Sequence, residues 1–462
     1  MQASHASSAM SASFDDPNLI SCGGLEPVMR LADQCGLTGL VADKLSVPAP
    51  NAYLKVPALV AGMVAGADSI EDMDLLRHGG MGRLFDGVRA PSTLGTFLRA
   101  FTFGHVRQLD SVASAMLAGL AERAPLLPGA GQITYVDVDD TMRGTYGYAK
   151  QGVGYGYSKV KGINALIGII STPAAAPVIG ATRLRKGSTN SARGAAKLVA
   201  DTLATARRCG AGGPDGTGLV IFRADSAFYN HDVIAAAIRG GARFSVTARM
   251  DKAVQRAIAA IGEDAWTPIH YPNAVWDDDE QRLISDAEVA EIDFTAFTSR
   301  RKAEHIDGRL IVRRVKRLNP ASVPAGQDTL FTTWRHHAVF TDSPMSMLDA
   351  EADHRRHAVI EQVNADLKSG ALAHLPSGSF AANSAWLVLA AIAFNLTRAA
   401  GALASDWHAR ATGATIRRQL ITVPARIASS ARRLRLHLPA SWPWREDWQH
   451  LFDTLHRPPR AA

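Results

Sequence analysis

Cysteine is scarce in this chain: there are three, Cys22, Cys35 and Cys209. An odd number at wide spacing gives neither the even framework of a disulfide-stapled domain nor the paired spacing of a zinc site. Stability must then come from a core, and a reducing cytoplasm is the fitting compartment. Long apolar runs are also lacking. The longest, Ala385 to Phe394, falls well short of the ~20 residues needed to cross a bilayer and reads as a buried helix. The opening MQASHASSAMSASFDD has no basic start followed by an apolar stretch, so no signal peptide is expected. No internal repeat of useful length is visible.

What is present is a globular composition. The chain has 462 residues, 47% hydrophobic and 20% charged, too many for one ordinary core and too apolar for disorder, so two to four structural units are expected. The formal charge of +7 and pI near 9.4 are compatible with a polyanionic partner without requiring one.

The texture changes along the chain. Residues 1–14 are small and polar and are expected to be disordered. From 15 to 127 the pattern is helical, broken by Gly and Pro; Ser92 or Thr93 is a candidate helix cap after Pro91. Short helices joined by tight turns suit a DNA-reading module with Arg99 and Arg107 on its outer face, or equally a bundle packed on the next domain. From 128 to 262, ITYVDVD, GINALIGII, APVIGATRL, GLVIFRAD and ARFSVTAR read as strands, with ARGAAKLVADTLATARR and HDVIAAAIRG as helices between the later ones. Three strands, a helix, a strand, a helix and a strand is the order of a ribonuclease-H-like mixed α/β sheet, although other α/β folds share it. Residues 263–344 lose the helical signal, and EIDFTAFT, GRLIVRRVKRL, LFTTW and HHAVFTD read as a β-rich insertion. Helix returns over 345–405, the second part of the core. Residues 406–462 form a basic tail with a helix-like piece at VPARIASSARRLRLHL.

Three acidic residues stand out. In ITYVDVDDT, alternation puts Ile133, Tyr135, Asp137 and Asp139 on one strand face. Two carboxylates there repel each other unless a cation or proton intervenes, or one of them merely caps the following turn. Asp225 ends the apolar strand GLVIFRAD, at the rim where α/β sheets bind ligands; it too could simply cap a turn. On a helical wheel, His354, His357, Glu361, Asn364 and Lys368 share one face, with Val359, Ile360, Val363 and Leu367 on the other. Basic residues collect around the Gly and Tyr-rich GTYGYAKQGVGYGY turn and the end of the third strand: Lys150, Lys159, Lys161, Arg183, Arg185 and Lys186. They could grip DNA, or the glycines could serve only turn geometry.

YVDVDDTMRGTYGYAKQGVGYGYSKVKGINAL, RLRKGSTNSARGAAKLV, RADSAFY and HAVIEQVNADLKSG together resemble the DDE transposases of bacterial insertion sequences that have a ribonuclease-H-like core and a β-strand insertion before the final Glu. The resemblance spans roughly residues 90 to 405. It implies a catalytic, metal-binding triad of Asp139, Asp225 and Glu361, with Asp137 as a possible additional carboxylate. It also implies two Mg²⁺ or Mn²⁺ ions per site, and double-stranded DNA as partner at transposon ends and target. A homodimer in the synaptic complex and action on DNA in the bacterial cytoplasm, at the nucleoid, are further expectations. Lys159, Lys161, Arg185, Lys186 and Lys368 are expected phosphate contacts. His354 and His357 stand where many relatives have Tyr and Arg, and either could bond a phosphate.

VDVDDT also fits the aspartyl-phosphate signature of haloacid-dehalogenase-type phosphatases, with Asp137 as nucleophile, Asp139 as acid/base and Thr141 as a phosphate contact. That reading leaves the Glu361 helix unexplained, and RADSAFYNHD has Asp225 and Asp232 at the wrong spacing for it. A catalytically inactive DNA-binding relative is the other alternative; the intact acidic residues argue against it.

Overall fold

The computed structural model describes residues 11–145, 150–156, 159–269, 276–277, 282–283, 287–316, 334–431 and 433–457. The expected disorder of residues 1–10 and the strand reading of residues 330–333 lie outside them. The chain begins with β1 (Leu19–Ile20), then α1 (Leu25–Gln34), α2 (Leu37–Lys44), α3 (Ala52–Ala65), α4 (Pro91–Arg99) and α5 (Phe103–Arg123). Next come β2 (Ile133–Gly144), β3 (Gly154–Tyr155), β4 (Lys161–Thr172), β5 (Ala175–Lys186), α6 (Ala195–Arg208), β6 (Leu219–Ala224), α7 (His231–Arg239), β7 (Arg243–Thr247) and α8 (Lys252–Ala259). A β-rich stretch follows: β8 (Thr267–Ile269), β9 (Trp276–Asp277), β10 (Arg282–Leu283), β11 (Ala287–Ala296), β12 (Ile306–Lys316) and β13 (Trp334–Thr341). The chain closes with α9 (Met347–Arg355), α10 (Val359–Lys368), α11 (Phe380–Ala404), α12 (Gly413–Ile416), β14 (Ala425–Ser430), β15 (Arg433–His437) and α13 (Arg445–His456).

The sheet runs β5-β4-β2-β6-β7 through its centre. The first three strands are antiparallel neighbours, while β6 is parallel to β2 and β7 to β6. This is the ribonuclease-H-like arrangement, and the run of buried Ile, Leu and Ala in β4 suits a strand covered on both faces. The β-rich stretch prolongs the same sheet: β13 pairs antiparallel with β7 through Thr341 and Ser245, and β12, β11 and β8 follow outward. Glycines near the Gly and Tyr-rich turn answer to backbone crowding. A Cβ at Gly187 would stand 2.0 Å from the Gly162 carbonyl oxygen and 2.5 Å from that of Gly154.

Helix α11 is 25 residues long and by length and composition apolar enough to cross a membrane, yet 83% of its apolar window is buried. α1, α3, α4, α5, α12 and α13 and strand β5 all pack against it, so it is the central helix of a core. The N-terminal helices therefore pack onto the core that carries the sheet. Arg99 is exposed on α4, and Arg107 is partly exposed and ion-pairs with Asp110 one turn on. The capping expectation at Ser92 or Thr93 is also corrected. Pro91 itself is the first helical residue, where its missing N–H costs nothing, and a separate helix restarts at Phe103 with Thr102 as its cap.

The stretch around residues 425–437 is not helical. It is a β-hairpin of β14 and β15, and β14 pairs with β1 from the other end of the chain. The alternation Arg433, Leu434, Arg435, Leu436, His437 has the period of a strand.

Candidate active site

Register puts two carboxylates side by side. The parallel ladder between β2 and β6 ends at Val138 opposite Ala224, so Asp139 and Asp225 are the next residue on each strand, where β6 stops and β2 runs on. The protein's donors already engage both. Asp139 Oδ1 accepts the Asp140 N–H at 2.7 Å, and Oδ2 accepts the Asn364 amide at 2.8 Å. Asp225 does cap the following turn, its Oδ1 accepting the Ala227 N–H at 3.0 Å.

Crowding of like charge leaves its mark. Burial pushes the Asp139 carboxyl up to about 7, with the charges of Asp225 and Asp140 adding to the rise. Asp225 is raised too, first because the rim strips water from it and then by Asp140, while the Ala227 N–H and the His357 imidazole pull it back. A carboxyl whose pKa rises on folding favours the folded state while protonated; that contribution is complete below about 4 and is lost as pH climbs to about 7. Metal-free protein should thus be less stable at pH 8 than at pH 5 on this residue's account. Asp139→Asn should raise the unfolding midpoint in EDTA at pH 8 by about 2 °C, with little change at pH 5. A variant no more stable than its parent at pH 8 would show that the carboxyl carries no such strain.

The third acidic residue stands apart. Glu361 lies in the first turn of α10 and is exposed. Asn364, three residues on and so on the same helix face, is 6% exposed and is the residue that touches Asp139. Its Oδ1 is buried with no hydrogen-bond partner. Among the described residues no three His, Cys, Asp or Glu side chains converge closely enough to hold a metal ion. The structure therefore joins Asp139 with Asp225 and brings the Glu361 helix against Asp139 through Asn364, while the Glu361 carboxylate stays outside the pair. Asn364 had been only one member of a polar face in the sequence; its spacing of one turn from Glu361 was the available signal.

Several expected site residues are engaged by other groups of the protein. Asp137 is fully buried and accepts both Nε (2.7 Å) and Nη2 (2.9 Å) of Arg223, its partner across the β2/β6 ladder. Arg223 also donates to the Asp353 carbonyl and lies over the Tyr135 ring, 3.9 Å from its centroid. A carboxylate spent on a buried guanidinium is neither an additional metal ligand nor an accessible nucleophile, which removes the structural basis of the phosphatase reading. Arg185 is 7% exposed and donates to Asp140 (2.5 Å), to Asn164 and to the carbonyls of Ser191 and Arg193. Its donors fix the far face of β2 and are not offered to a phosphate. His354 is a core histidine held between the hydroxyls of Ser245 and Thr247, both at 2.9 Å, and burial holds its pKa well below the usual range.

The remaining basic residues are partly or fully exposed. His357 is half-buried beside Asp225, with Nδ1–H donating to the His354 carbonyl at 2.6 Å. Lys159 and Lys186 are exposed, Lys161 opens β4, and Lys368 closes α10. Lys150 donates to the Leu375 carbonyl. Residues 146–149, part of the Gly and Tyr-rich turn, lie outside the described residues.

A family model described as Transposase DDE domain group 1 matches residues 2–460, nearly the whole chain. No curated protein matches.

Proposed function

The chain belongs to the transposase DDE domain family, and on that premise we propose that it cleaves and rejoins DNA at the ends of an insertion sequence, using Asp139, Asp225 and Glu361. The family acts on DNA and generally uses divalent metal. The observation that carries the finer reading is the ladder that ends at Val138 and Ala224 and leaves Asp139 and Asp225 as neighbours.

The residues suit Mg²⁺ or Mn²⁺, which prefer carboxylate oxygens. Two acids on one rim, one of them pushed up to about 7, share a proton-binding tendency that a divalent cation can replace. Asp139 and Asp225 would hold an ion between them and Glu361 would complete the set from α10; the orphaned Oδ1 of Asn364 adds an uncommitted oxygen at the same place. Bound ions would supply Lewis acidity and a more acidic attacking water. The protein's own part is positional. Asn364 and the Asp140 N–H fix the two Asp139 oxygens, and Arg185 anchors Asp140 on the opposite face. His357, Lys159, Lys161, Lys186 and Lys368 are proposed to bind DNA phosphates as charge-assisted donors. Terminal-repeat recognition, a dimer that pairs two ends, and action in the cytoplasm at the nucleoid complete the proposal.

The test uses purified full-length protein and duplex DNA carrying the gene's own flanking ends. With Mg²⁺ or Mn²⁺, strand cuts at the element boundary are expected, and EDTA should abolish them. Binding without any metal-dependent cut would favour the inactive-relative reading.

A further inference from the structure

From residue 407 to residue 445 the sequence contains eight arginines and no Asp or Glu. The fold gathers four of its basic residues onto one face of the hairpin. Cross-strand register sets Arg426 opposite His437, Ala428 opposite Arg435 and Ser430 opposite Arg433. All six share one face of the two-stranded ribbon, because alternate residues point the same way. The opposite face roots the hairpin: Ile427 is 1% exposed and Leu436 half-buried. Toward the tip, Ser429, Ser430, Arg433 and Leu434 are exposed. Ala431, at φ 46°, makes the turn tight. β1 flanks the ribbon at its base and Arg83 donates to Ser429 Oγ, while Arg433 and Arg435 on β15 are exposed opposite small residues.

The acidic neighbour on this face is Asp16, and it is taken by Arg426 at 3.0 Å. Arg433 and Arg435 form no ion pair among the described residues. A charged edge strand would by itself deter sheet-to-sheet pairing, but mixed charge serves that purpose as well. A long segment purged of carboxylates points instead to a polyanion.

We propose that the hairpin Ala425–His437 is a duplex-DNA-binding element that lays its arginine face into a groove and against the flanking phosphates. A two-stranded ribbon fits the major groove of B-form DNA, about 12 Å wide, whereas the major groove of A-form RNA is too narrow for it. The inference rests on the family's action on DNA and is independent of the acidic triad. It adds a second DNA-contacting element to the one that the sequence suggested for the N-terminal helices.

The experiment is metal-free binding, in EDTA, of full-length protein to a random-sequence duplex of about 30 base pairs, by fluorescence anisotropy across a salt series. Each phosphate contact contributes about 0.9 to the slope of log K against log salt. R433A/R435A should make that slope shallower by about 1.8 and weaken binding roughly 10-fold or more at about 0.1 M salt. R433K/R435K should restore most of both. Should the double variant unfold, Arg435→Gln alone should lower the slope by about 0.9. A folded variant with unchanged slope and affinity overturns the inference, as does wild-type protein that prefers single-stranded RNA to the duplex. Because no cleavage is measured, failure of the triad reading would not affect the result.

Discussion

Asp139→Ala and Asp225→Ala should each lower metal-dependent DNA cleavage by roughly 10³-fold or more, while metal-free DNA binding stays within about twofold of wild type. The size follows from their positions. The β2/β6 ladder makes them adjacent rim residues, and each has a carboxylate pKa raised by its surroundings. Removing one leaves a single rim carboxylate beside Glu361, a poor site for ions that need several oxygens. Binding should survive because the proposed DNA contacts are cations on other elements. The two substitutions together should cost little more than either alone, since residues acting as one unit are non-additive. Single-turnover cleavage with saturating Mn²⁺, beside anisotropy in EDTA, separates the two effects. A cleavage loss matched by an equal binding loss would mean that the substitutions disturb the fold rather than the chemistry.

Asp137→Ala, two residues away on the same strand face, should act through stability instead. Its carboxylate and Arg223 are buried, 0% and 2% exposed at the side chain, and bonded in a fork. Removing one partner strands the other's charge in the core, which typically costs about 3–5 kcal/mol. Arg223→Ala should cost a similar amount, and it also loses the donor to the Asp353 carbonyl that ties α9 to the sheet. Asp137→Leu with Arg223→Met, which removes both charges and keeps volume, should recover most of the loss. Urea denaturation of the four proteins measures this directly. If Asp137→Ala were as stable as wild type and abolished cleavage, Asp137 would belong to the site and the division between the two strand acids would be wrong.

That division shows what a single sequence can carry. Strand order was readable because β2, β4, β5, β6 and β7 are each apolar runs bounded by turns, and the helices between the later strands have clear apolar stripes. Alternation correctly put Asp137 and Asp139 on one face, but a period of two does not say where along the strand the neighbouring β6 ends. The clue was Arg223, a guanidinium inside an otherwise apolar strand, which demands a buried acid. The wheel that grouped His354 with Glu361 failed for a different reason. A 3-10 turn at Arg356–Ala358 separates α9 from α10, so the angular phase does not carry across, and His354 turns into the core beside β7. The hairpin was misread because its basic residues invited a helix, although Arg-Leu-Arg-Leu-His-Leu alternates like a strand.

Glu361 is where sequence and geometry leave the most to chemistry. The resemblance makes it the third catalytic acid; the fold sets it on an exposed turn of the helix that Asn364 fastens to Asp139. The deciding measurement is cleavage of DNA bearing the element's own ends by Glu361→Ala protein, beside wild type, in Mn²⁺. Loss of the boundary cuts with DNA binding and stability intact is the expected result. Cuts that persist at the wild-type rate would contradict the assignment of this chain's chemistry to Asp139, Asp225 and Glu361.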